Sequence, residues 1–321
     1  MKKAMREAYG EVLVEIGREN PAVVVFDADL TKATRTEIFA KEFPERFFNM
    51  GISEAHMVGT AGGFALEGLI PVVSTFAVFM PGRTFDQIRN TVCYSNLNVK
   101  LVATHAGVSV GPDGGSHEAV EDLALMQSLP NMEVYSPADT YQTKAVIRYI
   151  INKKGPAYVR LPRQETDTVY NKEITDYSPE VDLLKTGEDL TIVATGLMAP
   201  AALKAAEYLE KSGVSCRVLN VHCLKPLDEE RILDAARETR GLVTVEDHSI
   251  IGGLGSAVTD CVTSSFPCPV EKVGVLDAFG QSGTSEELMD HYGLDVDSIV
   301  NKTFALWKTV SREGRDIYAG R

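Results

Sequence analysis

The fold of this chain is decided by residues 49–123, which read NMGISEAHMVGTAGGFALEGLIPVVSTFAVFMPGRTFDQIRNTVCYSNLNVKLVATHAGVSVGPDGGSHEAVEDL. Three chemically distinct pieces follow one another here. Glu54 opens a helix of small residues, Phe76 and Phe79 follow a β-branched run, and a glycine-rich loop carries an acid between two histidines. An acid, an aromatic face and a polar loop, each after a predicted strand or at a helix start, indicate a heterocyclic cofactor with a polar substrate beside it.

Short β-branched runs alternate with segments of helical spacing along the whole chain. The predicted strands are 23–26, 71–76, 101–104, 132–135 and 158–161 in a first series and 190–196, 216–221, 242–245 and 270–275 in a second, and helical spacing is found for example at 83–93, 118–126 and 140–151. Such alternation predicts an α/β fold of two doubly wound domains, each with a mostly parallel sheet covered by helices.

A polar segment with little periodicity separates the two series. We therefore predict a first domain at 1–168, a linker at 169–185, a second domain at 186–312 and a C-terminal tail at 313–321.

Composition excludes several classes of function. The net charge of −13 and the pI near 5.0 disfavour a nucleic-acid surface, which needs clustered Lys and Arg. No apolar run is long enough to span a bilayer, and no apolar signal core follows Lys2 and Lys3. We expect a soluble, cytoplasmic protein without membrane contact.

Five scattered cysteines without a Cys-x-x-Cys pair predict neither a disulfide framework nor a zinc site, and we predict no metal ligands in this chain. A glycine-rich turn at 252–255 follows Glu246, Asp247 and His248. Phosphate binding and close helix packing both explain such a turn.

In this order the motifs resemble the C-terminal half of transketolases. The resemblance covers nearly the whole chain and rests on residues 6–10, 52–55, 74–79, 85–89 and 107–117. It implies a thiamine-enzyme pyrimidine-binding domain followed by a transketolase C-terminal domain.

Full-length members of that family have a further N-terminal domain, whose Gly-Asp-Gly motif helps to hold the diphosphate of thiamine diphosphate and its Mg²⁺. That tripeptide does not occur in this sequence. The resemblance therefore implies a split enzyme in which an N-terminal transketolase subunit supplies that domain, in an α2β2 heterotetramer. By itself this chain is expected to be catalytically incomplete.

The resemblance also implies a cofactor site. Glu54 matches the glutamate that hydrogen-bonds the pyrimidine ring nitrogen and promotes removal of the thiazolium proton, although a carboxylate also suits a helix N-terminus for electrostatic reasons alone. Phe79 matches the stacking platform and Phe76 lines the same pocket, although both could be core residues. By the same resemblance, Asp29 and Leu30 belong to a segment that reaches toward the thiazolium ring, and Ile52 is a further cofactor-site residue. An Asp at a strand end is also common as a helix cap.

Asp113 and His117 are candidates for sugar chemistry. A carboxylate and an imidazole on one loop can bind the hydroxyls around a ketose carbonyl and relay protons as the neighbouring bond breaks. Ordinary turn formation explains the same residues.

The resemblance implies that Arg6, His105 and Arg163 bind a terminal anion of the sugar, because they match family positions with that role. Arginine suits this role, since its planar fork donates two parallel hydrogen bonds to an oxyanion. The family's phosphate-binding serine aligns with Ala33, so Thr34 or Arg35 would have to compensate, or the anion is another group such as a sulfonate. Arg83, which follows a one-residue insertion, is a further candidate for this pocket.

The resemblance implies a transferase that moves a two-carbon ketol unit from a ketose with a terminal anion to an aldose or aldehyde. The β subunits of 2-oxoacid dehydrogenases and the deoxyxylulose-phosphate synthases share the two-domain plan and remain alternatives. A regulatory or scaffold subunit that retained the fold is the alternative without catalysis.

Overall fold

The computed structural model describes the backbone of residues 3–318 and the side chains of residues 3–311. The predicted fold class is confirmed: two mostly parallel sheets are covered by helices. Central strands such as Val23–Asp27 and Lys100–Thr104 are buried at every residue and mostly apolar, because both faces of the sheet are covered there.

Six strands of the first half and one strand of the second half form a seven-stranded sheet. Its elements are β1 (Lys3–Ala4), α1 (Met5–Glu19), β2 (Val23–Asp27), α2 (Thr31–Thr34), α3 (Glu37–Glu42), β3 (Phe47–Asn49), α4 (Glu54–Leu66), β4 (Ile70–Phe76), α5 (Met80–Asp86), β5 (Lys100–Thr104), α6 (Asp122–Gln127), β6 (Glu133–Tyr135), α7 (Thr140–Asn152), β7 (Ala157–Arg160) and β8 (Glu165–Thr166). Short 3₁₀ turns lie at Pro44–Arg46 and Val108–Val110, and a π-helix, Gln87–Cys93, continues α5.

The second half forms a five-stranded sheet. Its elements are β9 (Asp182–Lys185), β10 (Leu190–Ala194), α8 (Met198–Lys211), β11 (Cys216–Asn220), β12 (Cys223–Lys225), α9 (Glu229–Glu238), β13 (Leu242–Ser249), α10 (Leu254–Ser265), β14 (Val270–Val275), α11 (Ser285–His291) and α12 (Val296–Tyr318).

The strand order is β12-β6-β7-β5-β4-β2-β3 in the first sheet and β14-β13-β10-β11-β9 in the second. The edge strands β12 and β9 are antiparallel to their neighbours, and the remaining pairs of both sheets are parallel. A separate antiparallel pair joins β1 to β8.

One helix begins later than predicted, and one strand that was not predicted joins the first sheet. The helix expected at 118–126 begins at Asp122, because the backbone of Ala119 bridges to Ala106 and its carbonyl accepts a hydrogen bond from the amide of Gly107. The strand Cys223–Lys225 leaves the second half and joins the first sheet. The two halves are thereby linked by main-chain pairing as well as by a shared hydrophobic core cluster that includes Val24 and Val262.

The predicted linker, 169–185, ends in the edge strand β9 of the second sheet. The last helix extends into the predicted tail at 313–321, and residues 319–321 of that tail lie outside the described residues. Between residues 3 and 318, no helix combines the length and hydropathy that a bilayer crossing requires. Among the side chains of residues 3–311, no three His, Cys, Asp or Glu cluster in a way that could hold a metal ion.

Candidate active site

The parallel strands of the first sheet end at a common edge. Asp27 of β2 lies opposite Ser74 of β4, and Phe76 of β4 lies opposite Thr104 of β5. The residues that follow these strands therefore lie at the same edge, where ligands of open α/β sheets usually bind.

Glu54 is the first residue of α4, and only 5% of its surface is exposed. Its carboxylate accepts a hydrogen bond of 2.7 Å from Nη1 of Arg83. The guanidinium carbon of the same arginine lies 4.0 Å from the ring centroid of Phe79. A planar nitrogenous group is therefore held between a buried carboxylate and an aromatic face.

The aromatic pair connects this carboxylate to two histidines. The rings of Phe76 and Phe79 are nearly parallel, with centroids 5.8 Å apart. The imidazole of His105 stacks on Phe76 at 3.8 Å, and that of His117 meets Phe79 edge to face at 5.4 Å. Residues that are far apart in the sequence thus form one continuous surface.

His105 is buried and has a left-handed backbone conformation, with φ of 58°. Burial lowers the pKa of its imidazole to about 3, and the positive charges of Arg6 and Arg163 add to the effect. Its Nδ1 lies 2.9 Å from the hydroxyl of Thr104. At neutral pH this histidine is therefore an uncharged hydrogen-bonding group within a cationic environment.

Arg6, Arg35 and Arg163 produce that environment. Burial lowers the pKa of Arg6, and the neighbouring charges of Arg35 and Arg163 lower it further. Arg6 donates to the carbonyl of Ala33 at 2.9 Å, while Arg35 pairs with Glu7 at 3.1 Å. A cluster in which cations repel one another favours an anionic ligand.

The glycine-rich loop reaches this cluster through Asp113. Nη1 of Arg163 donates to the carboxylate of Asp113 at 3.2 Å and to the carbonyl of Val110 at 2.9 Å. Nδ1 of His117 lies 3.0 Å from the hydroxyl of Ser116. The loop therefore spans the distance between the arginine cluster and the aromatic pair.

The other predicted site residues have different surroundings. Asp29 accepts a hydrogen bond from Asn49 at 3.2 Å, and Leu30 follows it on the same turn. Ile52 precedes Glu54 and is 77% exposed. Thr34, in contrast, is fully buried and donates to Asp27 at 2.7 Å, so the structure does not bring its hydroxyl to the arginine cluster.

Arg83 also differs from expectation. We considered it for the anion pocket, but its guanidinium lies against Glu54 and Phe79 instead. Pro81 lies in the first turn of α5, and Arg83 of the same helix pairs with Glu54 at the start of α4.

Comparison with known proteins identifies both halves. Residues 1–168 match the transketolase pyrimidine-binding domain, and residues 180–299 match the transketolase C-terminal domain. The resemblance inferred from the motifs is thereby confirmed.

Several curated proteins are similar over nearly the whole chain. A transketolase C-terminal section of Methanocaldococcus jannaschii is 48% identical, over 94% of this chain and 95% of that protein. A 6-deoxy-6-sulfo-D-fructose transketolase subunit of a Clostridium species is 38% identical, over 92% of each. Transketolase of Homo sapiens is 38% identical over 93% of this chain, which spans 48% of the human protein.

Among solved structures, one described as a split gene transketolase, inactive beta4 tetramer, superposes with a TM-score of 0.89. It is 50% identical, and the match covers 95% of this chain and 98% of that one.

Sequence reasoning missed Glu118, which follows His117 and was expected on a helix. Its side chain is buried, and a backbone hydrogen bond from Gln281 offsets only part of the cost of burying the carboxylate. Gly280 of the second half lies so close that a Cβ there would collide with the carboxylate. Burial raises the pKa of Glu118 to about 7, and the nearby Asp247 and Asp113 contribute in the same direction.

A raised pKa makes this group stabilising only while it is protonated. The folded protein holds the proton more tightly than the unfolded chain, whose glutamate titrates near 4.5. The contribution of Glu118 to stability is therefore complete below pH 4.5 and is lost as the pH rises through about 7.

We expect Glu118→Gln to leave stability unchanged near pH 4.5 and to raise the free energy of unfolding at pH 8 by about 1–2 kcal/mol. This gain is smaller than the free energy that corresponds to the full pKa difference, because the adjacent loop is open to water, which screens the charge. Urea unfolding at both pH values measures the free energy of unfolding. The exposed Glu207→Gln is the control and should show no such pH dependence. A gain of equal size at both pH values would contradict the titration of Glu118.

Proposed function

The chain belongs to the transketolase family, and we propose that it is the C-terminal subunit of a split, thiamine diphosphate-dependent transketolase. It transfers a two-carbon ketol unit from a ketose with a terminal anion to an aldose or aldehyde. One observation carries this proposal: Glu54 and Phe79 are connected through His117 and the glycine-rich loop to a cluster of arginines. A cofactor ring at one end and a sugar anion at the other fit this arrangement.

The relatives support the proposal that two different chains form the active enzyme. Two of them are described as a C-terminal section and a subunit, and the related split-gene tetramer is described as inactive. We propose that an N-terminal transketolase subunit holds the diphosphate and Mg²⁺, and that the complex is an α2β2 heterotetramer.

The contacts of Arg83 allow a comparison of its guanidinium with an aminopyrimidine in this site. Its flat guanidinium, like an aminopyrimidine, presents N–H donors at its edge and a π face. Glu54 already accepts from that edge, and Phe79 already lies under that face. The residues fit the cofactor, and Phe76, Asp29, Leu30 and Ile52 would complete its surroundings.

When bound, thiamine diphosphate supplies the carbon nucleophile for cleavage of the ketose. Glu54 holds a proton at the pyrimidine ring nitrogen, where correct position matters more than an altered pKa. Phe79 orients the ring by stacking. Asp113 and His117 bind sugar hydroxyls, and His117 accepts the proton of the hydroxyl on the third carbon as the bond between the second and third carbons breaks.

The terminal anion of the sugar is bound by Arg6, Arg35, Arg163 and the neutral His105. Ala33 offers only its carbonyl, which already accepts from Arg6. A site with arginine forks and no serine hydroxyl suits phosphate or sulfonate. The sulfo-fructose transketolase subunit among the relatives supports testing both anions.

We expect this chain alone to show no ketol transfer and to become active when its N-terminal partner subunit, thiamine diphosphate and Mg²⁺ are added. Glu54→Gln should assemble with the partner equally well but lose at least about a hundredfold in turnover. Coupled assays of ketol transfer and mass measurement of the complex test both statements. Full turnover by this chain alone, or by the Glu54→Gln complex, would contradict the proposal.

Arg83 competes with the cofactor for Glu54 and Phe79, so its removal should favour binding. We expect Arg83→Ala to tighten thiamine diphosphate binding to the assembled complex about 3- to 10-fold, because a pair whose arginine is half-exposed and a cation–π contact are each worth up to about 1 kcal/mol. Calorimetric titration measures this, with the exposed Arg89→Ala as control. Weaker binding in Arg83→Ala would instead identify the arginine as a cofactor ligand.

Three donors that share one carbon skeleton test the anion site: fructose, fructose 6-phosphate and 6-deoxy-6-sulfofructose. Arg6→Ala should raise KM for the charged donors that the complex uses by about 10- to 100-fold, which corresponds to the loss of one charge-assisted hydrogen bond. It should hardly change KM for fructose. Ala33→Ser should shift preference toward the phosphate. Equal effects of Arg6→Ala on charged and uncharged donors would rule out this site.

A further inference from the structure

The loop at residues 107–117, which carries Asp113 and His117, is held from outside the first domain. Asp247 of β13 lies in the second half and is buried. Its carboxylate accepts hydrogen bonds from the amide of Val108 at 2.9 Å and from that of Ser109 at 3.4 Å. These are the first two residues of the 3₁₀ turn within the loop.

Glycines allow the second half to approach this loop closely. Gly107 has φ of 78°, and a Cβ at this position would collide with the carboxylate of Asp247. Further along, a Cβ at Gly111 would lie 2.9 Å from the backbone nitrogen of Ser285, and one at Gly115 would collide with the carbonyl of Gly280. The beginning, middle and end of the loop therefore rest on residues of the second half.

Asp247 is itself fixed in place. Its carbonyl accepts a hydrogen bond of 2.6 Å from Arg160 at the end of β7. Arg160 also pairs at 2.9 Å with Asp122, the first residue of the helix that follows the loop. This buried network connects β13 to a strand beside the loop and to the helix after it.

The position of the turn also determines the surroundings of Asp113. The turn ends at Val110, whose carbonyl accepts from Arg163. The same nitrogen of Arg163 donates to Asp113. A displacement of the turn therefore changes the orientation of Arg163 and, with it, the position of Asp113.

We propose that Asp247 is a positioning residue for ketol transfer. By accepting hydrogen bonds from two backbone amides of the loop, this residue of the second domain fixes the positions of Asp113 and His117. This rests on the function proposed above for the loop. It gives the second domain, which contains none of the predicted site residues, an indirect part in the reaction.

Glu246 provides a matched control. It precedes Asp247 on the same strand, is also fully buried, and likewise accepts from two backbone amides, Leu254 at 2.7 Å and Gly255 at 2.8 Å. Both amides belong to the glycine-rich turn of the second half. Changing Glu246 perturbs the second domain without removing a hydrogen bond to the loop.

The experiment compares Asp247→Ala, Asp247→Asn and Glu246→Gln in the full chain assembled with its partner subunit. Amide hydrogen exchange of peptides covering 107–117 reports the loop. Titration reports binding of thiamine diphosphate, and turnover with fructose 6-phosphate and 6-deoxy-6-sulfofructose reports transfer. Thermal unfolding reports stability, and Asp247→Asn serves for all measurements if Asp247→Ala does not fold.

We expect faster exchange in the loop and a loss in kcat of about 10- to 100-fold for Asp247→Ala, because a displacement of about 1 Å is enough for such an effect. Asp247→Asn, which keeps one acceptor oxygen, should lie between wild type and Asp247→Ala. Cofactor affinity should stay near that of wild type, because Glu54 and Phe79 are not on this loop. Glu246→Gln should change thermal stability without the changes in loop exchange and kcat.

Unchanged loop exchange in both Asp247 variants would overturn the proposal, as would unchanged kcat despite faster exchange. Equal losses of kcat in Glu246→Gln would show that stability rather than position is responsible, and would overturn it too. If the wild-type complex transfers no ketol unit from either donor, the proposed function fails. Loop exchange then still decides whether Asp247 holds the loop.

Discussion

The common direction of the central strands is the constraint on which this site depends. In a parallel sheet each strand ends at the same edge as its neighbours, so residues after β2, β4, β5 and β7 must meet there. Phe76, His105 and Arg163 are neighbours for this reason, although almost ninety residues of chain separate the first from the last. The main-chain pairing of Asp27 with Ser74 and of Phe76 with Thr104 fixes the register of these strand ends.

Charge is distributed unevenly over this edge. The protein as a whole carries a net charge of −13, yet Arg6, Arg35 and Arg163 lie close enough for Arg35 and Arg163 to lower the pKa of Arg6. At the other end the buried carboxylate of Glu54 is balanced by Arg83. One end of the surface therefore favours an added anion, whereas the other favours a flat group that can donate to a carboxylate and stack on a ring.

Much of this edge was predictable because its motifs are local. Glu54 at a helix start, the aromatic pair after a strand and the acid and histidine of the glycine-rich loop all lie where their sequence context predicted. Thr34 and Arg83 were harder to place, because a side chain's direction depends on the packing of short helices. The hydroxyl of Thr34 turns inward to Asp27, and Arg83 turns toward Glu54 rather than to the other arginines.

Hydrophobic periodicity and short motifs are properties of neighbouring residues, and they were sufficient to predict the α/β fold class, the order of the strands along the chain and the family. The packing of the two halves was needed to show that Asp247 meets the amides of Val108 and Ser109, that β12 joins the first sheet, and that Glu118 is buried against Gly280. Asp247 and Val108 are 139 residues apart, and no local pattern records which distant backbone a buried carboxylate will contact. That choice is made when the two sheets pack around one core, because each buried donor and acceptor must then find a partner from whatever chain segment lies beside it.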